Sequence, residues 1–234
     1  MSAEVLRRDD DVVLTRLVVG PLRTNTYLLG CARTGDTAVV DPGDDEPRIT
    51  AALAGRRVVA AVLTHAHWDH VQAVGALRAR HGCPVLAHPA EAAVWAHELA
   101  HLRAHGQWDW GQDRPPAGAP TPVPGWDGHV DAALADGVPL AVGRLAVDVL
   151  HTPGHTPGSV CLRAGDDLLT GDTLFPGGPG LTGWPLSDFA TVMASVERLL
   201  SSLPGAVRVH PGHGPATTVG RERPSLEQWR RRGW

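Results

Sequence analysis

The run "RVVAAVLTHAHWDH", Arg57 to His70, constrains this chain more than any other stretch. It begins as a continuous apolar segment of strand length, the pattern of a strand buried on both faces. It ends with three histidines and an aspartate inside six residues, His65 to His70. Residues two apart in extended chain point the same way, so His65 and His67 can converge on one point. Asp69 and His70 fall where a helix is expected to begin. The turn before that helix can swing them towards a second point a few ångströms away. The chain must therefore bury this strand in a sheet and open its end onto a polar site.

Further candidate ligands follow other apolar runs. "LHTPGHTPGS" carries His151 and His155, "LLTGDTLF" carries Asp172, and "VRVHPGHGP" carries His210 and His213. Glycines flank each of them and let backbone come close to a compact site. Nitrogen and oxygen donors in this mixture suit zinc, and also iron or manganese. The remaining histidines, His81, His88, His97, His101, His105 and His129, read as surface or core residues.

The surrounding pattern is mixed. "DVVLTRLVVG", "NTYLLG" and "TAVVDPG" read as strands joined by hairpins. "DEPRITAALAG", "HVQAVGALRARHG" and "PAEAAVWAHELAHLRAH" read as helices, with "PVLAH" as a strand between the last two. From about 106 to 128 the chain is rich in Pro, Gly and Trp, too long for an ordinary connection. Then come strands "VPLAV", "RLAVDVLHT", "GSVCLRAG" and "DLLTGD", a helix "LSDFATVMASVERLLSSL" with Ser or Asp to cap it, and a last strand "AVRVH". The tail "RERPSLEQWRRRGW" reads as a short helix. Pattern alone gives an α/β or α+β chain of one domain over 1–234, carrying the 106–128 insert.

The order His-x-His-x-Asp-His, then His, Asp and His, resembles the metallo-β-lactamase superfamily. "VVDPG", "THAHWDH", "TPGHTPGS", "LLTGDTLF" and "HPGHG" all match its motifs, from Asp41 to His213. The resemblance implies an αββα sandwich, two mixed β-sheets flanked by helices, with two divalent metal ions at one edge. It assigns His65, His67 and His155 to one metal and Asp69, His70 and His213 to the other, with Asp172 bridging. Asp41 would brace the loop from behind. Asp69 would also steer the nucleophile.

Within the superfamily the motifs resemble glyoxalase II, the hydroxyacylglutathione hydrolases and their short relatives. Asp172 stands where two-metal lactamases usually have cysteine, which argues against antibiotic hydrolysis. Leu181 stands where these relatives often have arginine, so the thiol of the substrate stays open. The expected activity is hydrolysis of a small-molecule thioester by metal-activated water, with zinc as the expected metal. Alternatives are hydrolysis of another ester or lactone, or a persulfide dioxygenase with one iron at the His65, His155 and Asp172 positions. A non-catalytic metal-binding protein is the contrasting class. Trp108, Trp110 and Trp126 of the insert are candidates for a substrate wall, or equally for a covering of the core.

A formal net charge of -4 gives no footprint for nucleic acid. No apolar run approaches the ~20 residues of a membrane span, and "MSAEVLRRDDDVV" has no signal-peptide core. Three cysteines without a CxxC pair suit a reducing compartment. The cytoplasm is the expected location, and the oligomeric state is left open.

Overall fold

The computed structural model describes residues 3–109 and 123–233. A first sheet of seven strands runs in spatial order through β1 (Glu4–Arg8), β2 (Val12–Val19), β3 (Thr24–Cys31), β4 (Asp36–Val40), β5 (Arg57–Val62), β6 (Val85–Ala87) and β7 (Ala132–Ala133). Its first four strands pair antiparallel and its last four parallel, β4 belonging to both halves. The helices α1 (Glu46–Leu53), α2 (Val74–His81) and α3 (Glu91–His105) fall between its later strands. That is the connection parallel pairing demands.

The second sheet contains β8 (Leu140–Val142), β9 (Leu145–His151), β10 (Val160–Ala164) and β11 (Asp167–Gly171). A two-stranded ribbon, β12 (Leu174–Phe175) with β13 (Gly178–Pro179), and helix α4 (Phe189–Ser202) precede its remaining strands, β14 (Arg208–Pro211) and β15 (Thr217–Thr218). The spatial order is β15-β14-β11-β10-β9-β8, with β11 and β14 parallel and the other pairs antiparallel. The chain ends in α5 (Val219–Glu222) and α6 (Leu226–Arg232).

Three apolar clusters separate four layers. Leu28, Val39, Ile49, Leu53, Val74, Leu77 and Val94 fill the space between the first sheet and α1–α3. Leu29, Val40, Val62, Val147, Val149 and Leu169 fill the space between the sheets. Leu168, Val196, Leu199, Val209 and Trp229 lie between the second sheet and the last helices. Neighbours such as Leu28 and Leu29, or Leu168 and Leu169, point to opposite faces and enter different clusters. Continuous apolar runs are therefore what these strands need, because both faces are covered. This is the expected αββα sandwich.

The helix ends follow local chemistry. Asp188 caps α4 by accepting from the Thr191 N–H at 2.7 Å. Gly106, at a φ of 68°, stops α3. Some elements differ from the sequence reading. β1 is charged, and α2 starts only at Val74, after a 3-10 turn over Trp68–His70. β5 stops at Val62, so His65 and His67 stand on the loop beyond it. Among the described residues no helix is long and apolar enough to cross a membrane.

The ends of β4, β5, β9, β11 and β14 gather at one edge of the sandwich. Backbone and side chains stitch the two sheets together there. The Val160 N–H donates to the Thr64 carbonyl at 2.9 Å, the Asn25 N–H to the Gly212 carbonyl at 2.6 Å, and the Tyr27 hydroxyl to the Pro211 carbonyl at 2.7 Å.

Candidate metal centre

Loops leaving these strand ends bring together all seven residues singled out as ligands. His65, His67 and His155 each present an atom within 4.8 Å of the others. So do Asp69, His70 and His213. The Asp172 carboxylate stands between the groups: Oδ2 is 3.6 Å from His155 Nε2 and 3.5 Å from His213 Nε2, and Oδ1 is 3.7 Å from His70 Nε2. A third group, Asp41 with His65 and His70, is also compact. Its carboxylate is already engaged, with Oδ1 accepting from the Thr64 N–H at 2.7 Å and Oδ2 from the Thr64 hydroxyl at 2.7 Å and from His70 Nδ1 at 3.1 Å.

Outer partners set the imidazole tautomers. His155 Nδ1 lies 2.9 Å from the Leu181 carbonyl, and His213 Nδ1 lies 3.1 Å from the Leu22 carbonyl. A carbonyl only accepts, so each Nδ1 carries a hydrogen and Nε2 is the atom turned to the centre. His70 Nδ1 is held in the same way by Asp41. The Thr64 hydroxyl gives its proton to Asp41 and so accepts from His65 Nδ1 at 3.1 Å. His65 Nε2 and Asp172 Oδ1 are buried without a hydrogen-bond partner. His67 presents Nδ1, which lies 3.0 Å from His155 Nε2.

The electrostatics divide in two. Burial drives His65 well below its usual range, and drives His67 and His155 down to about 3. These three stay neutral and remain electron-pair donors. Burial also pushes His70 down, but the Asp69, Asp172 and Asp41 carboxylates outweigh it and hold the ring at about 10. His213 is raised to about 9 against burial, by Asp172 and Asp69. Burial pushes Asp69 up, yet His70, His213 and the Thr24 hydroxyl, 2.6 Å from Oδ2, keep it ionised far below the carboxylate range. Orphaned lone pairs, ionised carboxylates and fixed outer partners fit divalent cations.

Glycine makes the closeness possible. A Cβ on Gly212 would lie 2.1 Å from Asp172 Oδ1 and 2.8 Å from His70 Cε1. His213 thus follows a residue that must be small.

A family model described as the metallo-β-lactamase superfamily matches residues 19–218. The chain belongs to the metallo-β-lactamase superfamily. It is 36% identical over 189 residues to a hydroxyacylglutathione hydrolase from Anaeromyxobacter dehalogenans, covering 80% of this chain and 60% of that protein. It resembles the B3 metallo-β-lactamase BLEG-1 at a TM-score of 0.73 and 31% identity, covering 89% of this chain and 95% of that one. It also resembles TTHA1623, solved in a di-iron-bound form, at a TM-score of 0.70 and 36% identity, covering 88% and 96%. The superfamily and the donor set together make this chain a metallo-hydrolase with histidines and aspartates positioned for metal.

A cavity of about 510 Å³ opens beside the centre. Its aromatic wall is Trp68, Phe175 and Trp184, joined by Leu22, Val94 and Leu186. Trp184 meets the rings of His67 and His155 edge-on, at 5.4 and 5.0 Å between centroids. Of the tryptophans read as either a substrate wall or a covering of the core, Trp108 and Trp126 pack around Trp95 of α3 in the core, 3% and 4% exposed. Trp110 lies outside the described residues. Trp68, which had no expected role, stacks on Trp108 and also lines the cavity.

Sequence reasoning missed two carboxyl groups of α3, Glu91 and Glu98, 1% and 3% exposed. Burial lifts Glu91 to about 7, against donors from Thr156, Ala66 and Gly158. Burial, aided by Asp69 and Asp109, lifts Glu98 to about 8. Glutamate on an alanine-rich helix reads as solvated surface, and no sequence signal separates these two from that reading. His97, set aside with the other histidines, lines the cavity.

Proposed function

We propose that the protein hydrolyses a small-molecule thioester at a two-metal centre, in the manner of glyoxalase II. The observation that carries this reading is the pair of three-residue donor groups with Asp172 between them, next to a largely apolar cavity. His65, His67 and His155 would hold one cation and Asp69, His70 and His213 the other, with Asp172 shared. Divalent cations at such a site supply activated water at neutral pH and polarise a carbonyl. Zinc suits the donors. The di-iron form of TTHA1623 keeps iron in contention for this chain.

The chain's own residues supply the rest. Asp69, ionised and fixed by the Thr24 hydroxyl, is placed to orient the attacking water by accepting a hydrogen bond from it. Trp184, Phe175 and Leu22 offer an apolar bed for the acyl or thiol group and keep bulk water from it. A thiolate leaves readily without a strong general acid. A thioester therefore asks little of a site whose His65, His67, His70, His155 and His213 are all assigned to metal.

The test is metal analysis of the purified protein, followed by turnover of zinc- and iron-loaded samples. The substrate panel holds thioesters of several thiols, with lactones and a β-lactam beside them. The lactam arm is included because of the likeness to BLEG-1. The reading expects metal, preference for thioesters, and loss of turnover in His67→Ala and Asp172→Ala. Metal-free protein, or unchanged turnover in both variants, would sink it.

A further inference from the structure

Glu91 opens α3, and its carboxylate joins two loops that are remote in sequence. Oε2 accepts from the Ala66 N–H at 2.6 Å. Oε1 accepts from the Thr156 hydroxyl at 2.7 Å and from the Gly158 N–H at 2.7 Å. Ala66 lies between His65 and His67, and Thr156 follows His155. One buried carboxylate thus holds both segments that supply the His65, His67 and His155 group. Its approach is close enough to demand glycine: a Cβ on Gly158 would stand 2.7 Å from Glu91 Oε1.

The second group has its own brace. Asp41 binds Thr64 and His70, and Thr24 binds Asp69. The hydrogen-bond partners of Glu91, namely Ala66, Thr156 and Gly158, do not include Asp69, His70 or His213. Glu91 reaches only loops of the first group, whereas Asp41 holds His70 directly and reaches His65 only through the Thr64 hydroxyl. Burying an acidic side chain to satisfy two loop amides could be done by a neutral acceptor. A carboxylate brings two oxygens and so fixes the spacing of both loops at once, which is what convergent ligands require.

We propose that Glu91 is a positioning residue for the His65, His67 and His155 group, selectively setting the affinity of the cation held there. The proposal rests on the reading above that these histidines bind a metal. Glu91→Gln keeps the shape but places an NH₂ group against at least one of the three donors. Thr156→Val removes one donor with little change of volume.

The experiment is calorimetric titration of metal-stripped wild type, Glu91→Gln and Thr156→Val with zinc, with histidine NMR to assign which rings respond to each ion. Wild type should take two ions per chain. In Glu91→Gln one ion should weaken about 10–100-fold, the range for lost outer partners of metal ligands. The rings reporting that loss should be His67 and His155, while Asp69, His70 and His213 keep their ion at wild-type affinity. Thr156→Val should move the same ion in the same direction by less. Two ions bound as in wild type, or both weakened alike, would overturn the proposal. If Glu91→Gln does not fold, Thr156→Val decides by the same criterion. Wild type that takes no zinc overturns the metal reading itself, a result distinct from two ions with no selective loss.

Discussion

His67 Nδ1 and His155 Nε2 face each other at 3.0 Å across 88 residues of chain. His155 Nδ1 already gives its hydrogen to the Leu181 carbonyl, so its Nε2 offers only a lone pair. Burial holds both rings neutral near pH 7, each being pulled down to about 3. A cation held between such rings would replace this single contact by two bonds. Chelation is therefore expected to lower the melting temperature sharply. A ligand present at about a thousand times its dissociation constant contributes about 4 kcal/mol to the folded state. Calorimetry with and without a strong chelator at pH 7.5 measures it, and equal melting temperatures would refute the expectation.

Asp41 supports the same centre from behind. It is 1% exposed and sits at a φ of 50°, the left-handed region that few residues other than glycine adopt without strain. Two contacts from Thr64 and one from His70 are what hold it there. Asp41→Asn should lose about 10–100-fold in metal affinity or turnover, the usual cost of removing such an outer partner. The direct contact with His70 puts the larger share of the loss on the ion that His70 serves, and the Thr64 link to His65 puts a smaller share on the other. Zinc titration of the variant beside wild type checks this, and undiminished affinity for both ions would contradict it.

Glu98 makes stability depend on pH. Burial lifts its carboxyl to about 8, and the Asp69 and Asp109 charges add to the rise. Its folded value therefore lies above its unfolded one, near 4.3. Between these values the folded state binds more protons than the unfolded one, so stability falls as pH rises. The contribution is complete below about pH 4 and lost on passing through about 8. The slope from this group is at most about 1.4 kcal/mol per pH unit. Glu98→Gln should remove that slope. Urea unfolding of both proteins at pH 5.5, 6.5, 7.5 and 8.5 compares them; parallel curves would show that Glu98 does not titrate in this window.

Trp184 separates binding from chemistry. Its indole donates to the His155 carbonyl at 3.3 Å while its ring walls the cavity. Trp184→Ala should raise KM for apolar acyl thioesters about tenfold or more, by the cost of lost apolar contact in a pocket, and lower kcat less. Steady-state kinetics over acyl chains of increasing length test it. A uniform drop in kcat with KM unchanged would place Trp184 with the ligand loops instead.

The donor set was legible because its chemistry is crowded. Three histidines and an aspartate in six residues have few structural uses, and glycine-flanked His155, Asp172 and His213 repeat the signal. The layers were legible because strands buried on both faces are written as continuous apolar runs. The edge was not: β1 is charged and partly exposed, so neither alternation nor an apolar run marks it. The start of α2 was misread because the backbone of His70–Ala73 is held elsewhere, His70 N–H by the His67 carbonyl and Ala73 N–H by the Pro42 carbonyl. Glu91 was hidden for a further reason. Its burial is created by loops carrying Ala66 and Gly158, and nothing near position 91 in the chain records their approach. Trp108 and Trp126 were open to two readings, and their place around Trp95 comes from packing that composition cannot express.

Gly212 offers a test of how tightly the bridge is drawn. Its N–H donates to the Gly171 carbonyl at 2.8 Å and its carbonyl accepts from Asn25 at 2.6 Å, so the backbone is fixed on both sides. Its φ is not among the positive ones, so alanine meets no conformational penalty there. What alanine meets is Asp172 Oδ1, 2.1 Å from the new Cβ, and the His70 ring. Because the backbone cannot retreat, the carboxylate must turn away from the two histidine groups it lies between. Gly212→Ala should fold, with a loss of about 1–3 kcal/mol typical of overpacking, yet bind the second ion poorly and lose most turnover. Unfolding curves, zinc content and thioester kinetics on one preparation separate the effects. Full turnover in a folded variant would show that Asp172 tolerates displacement and is not the shared ligand.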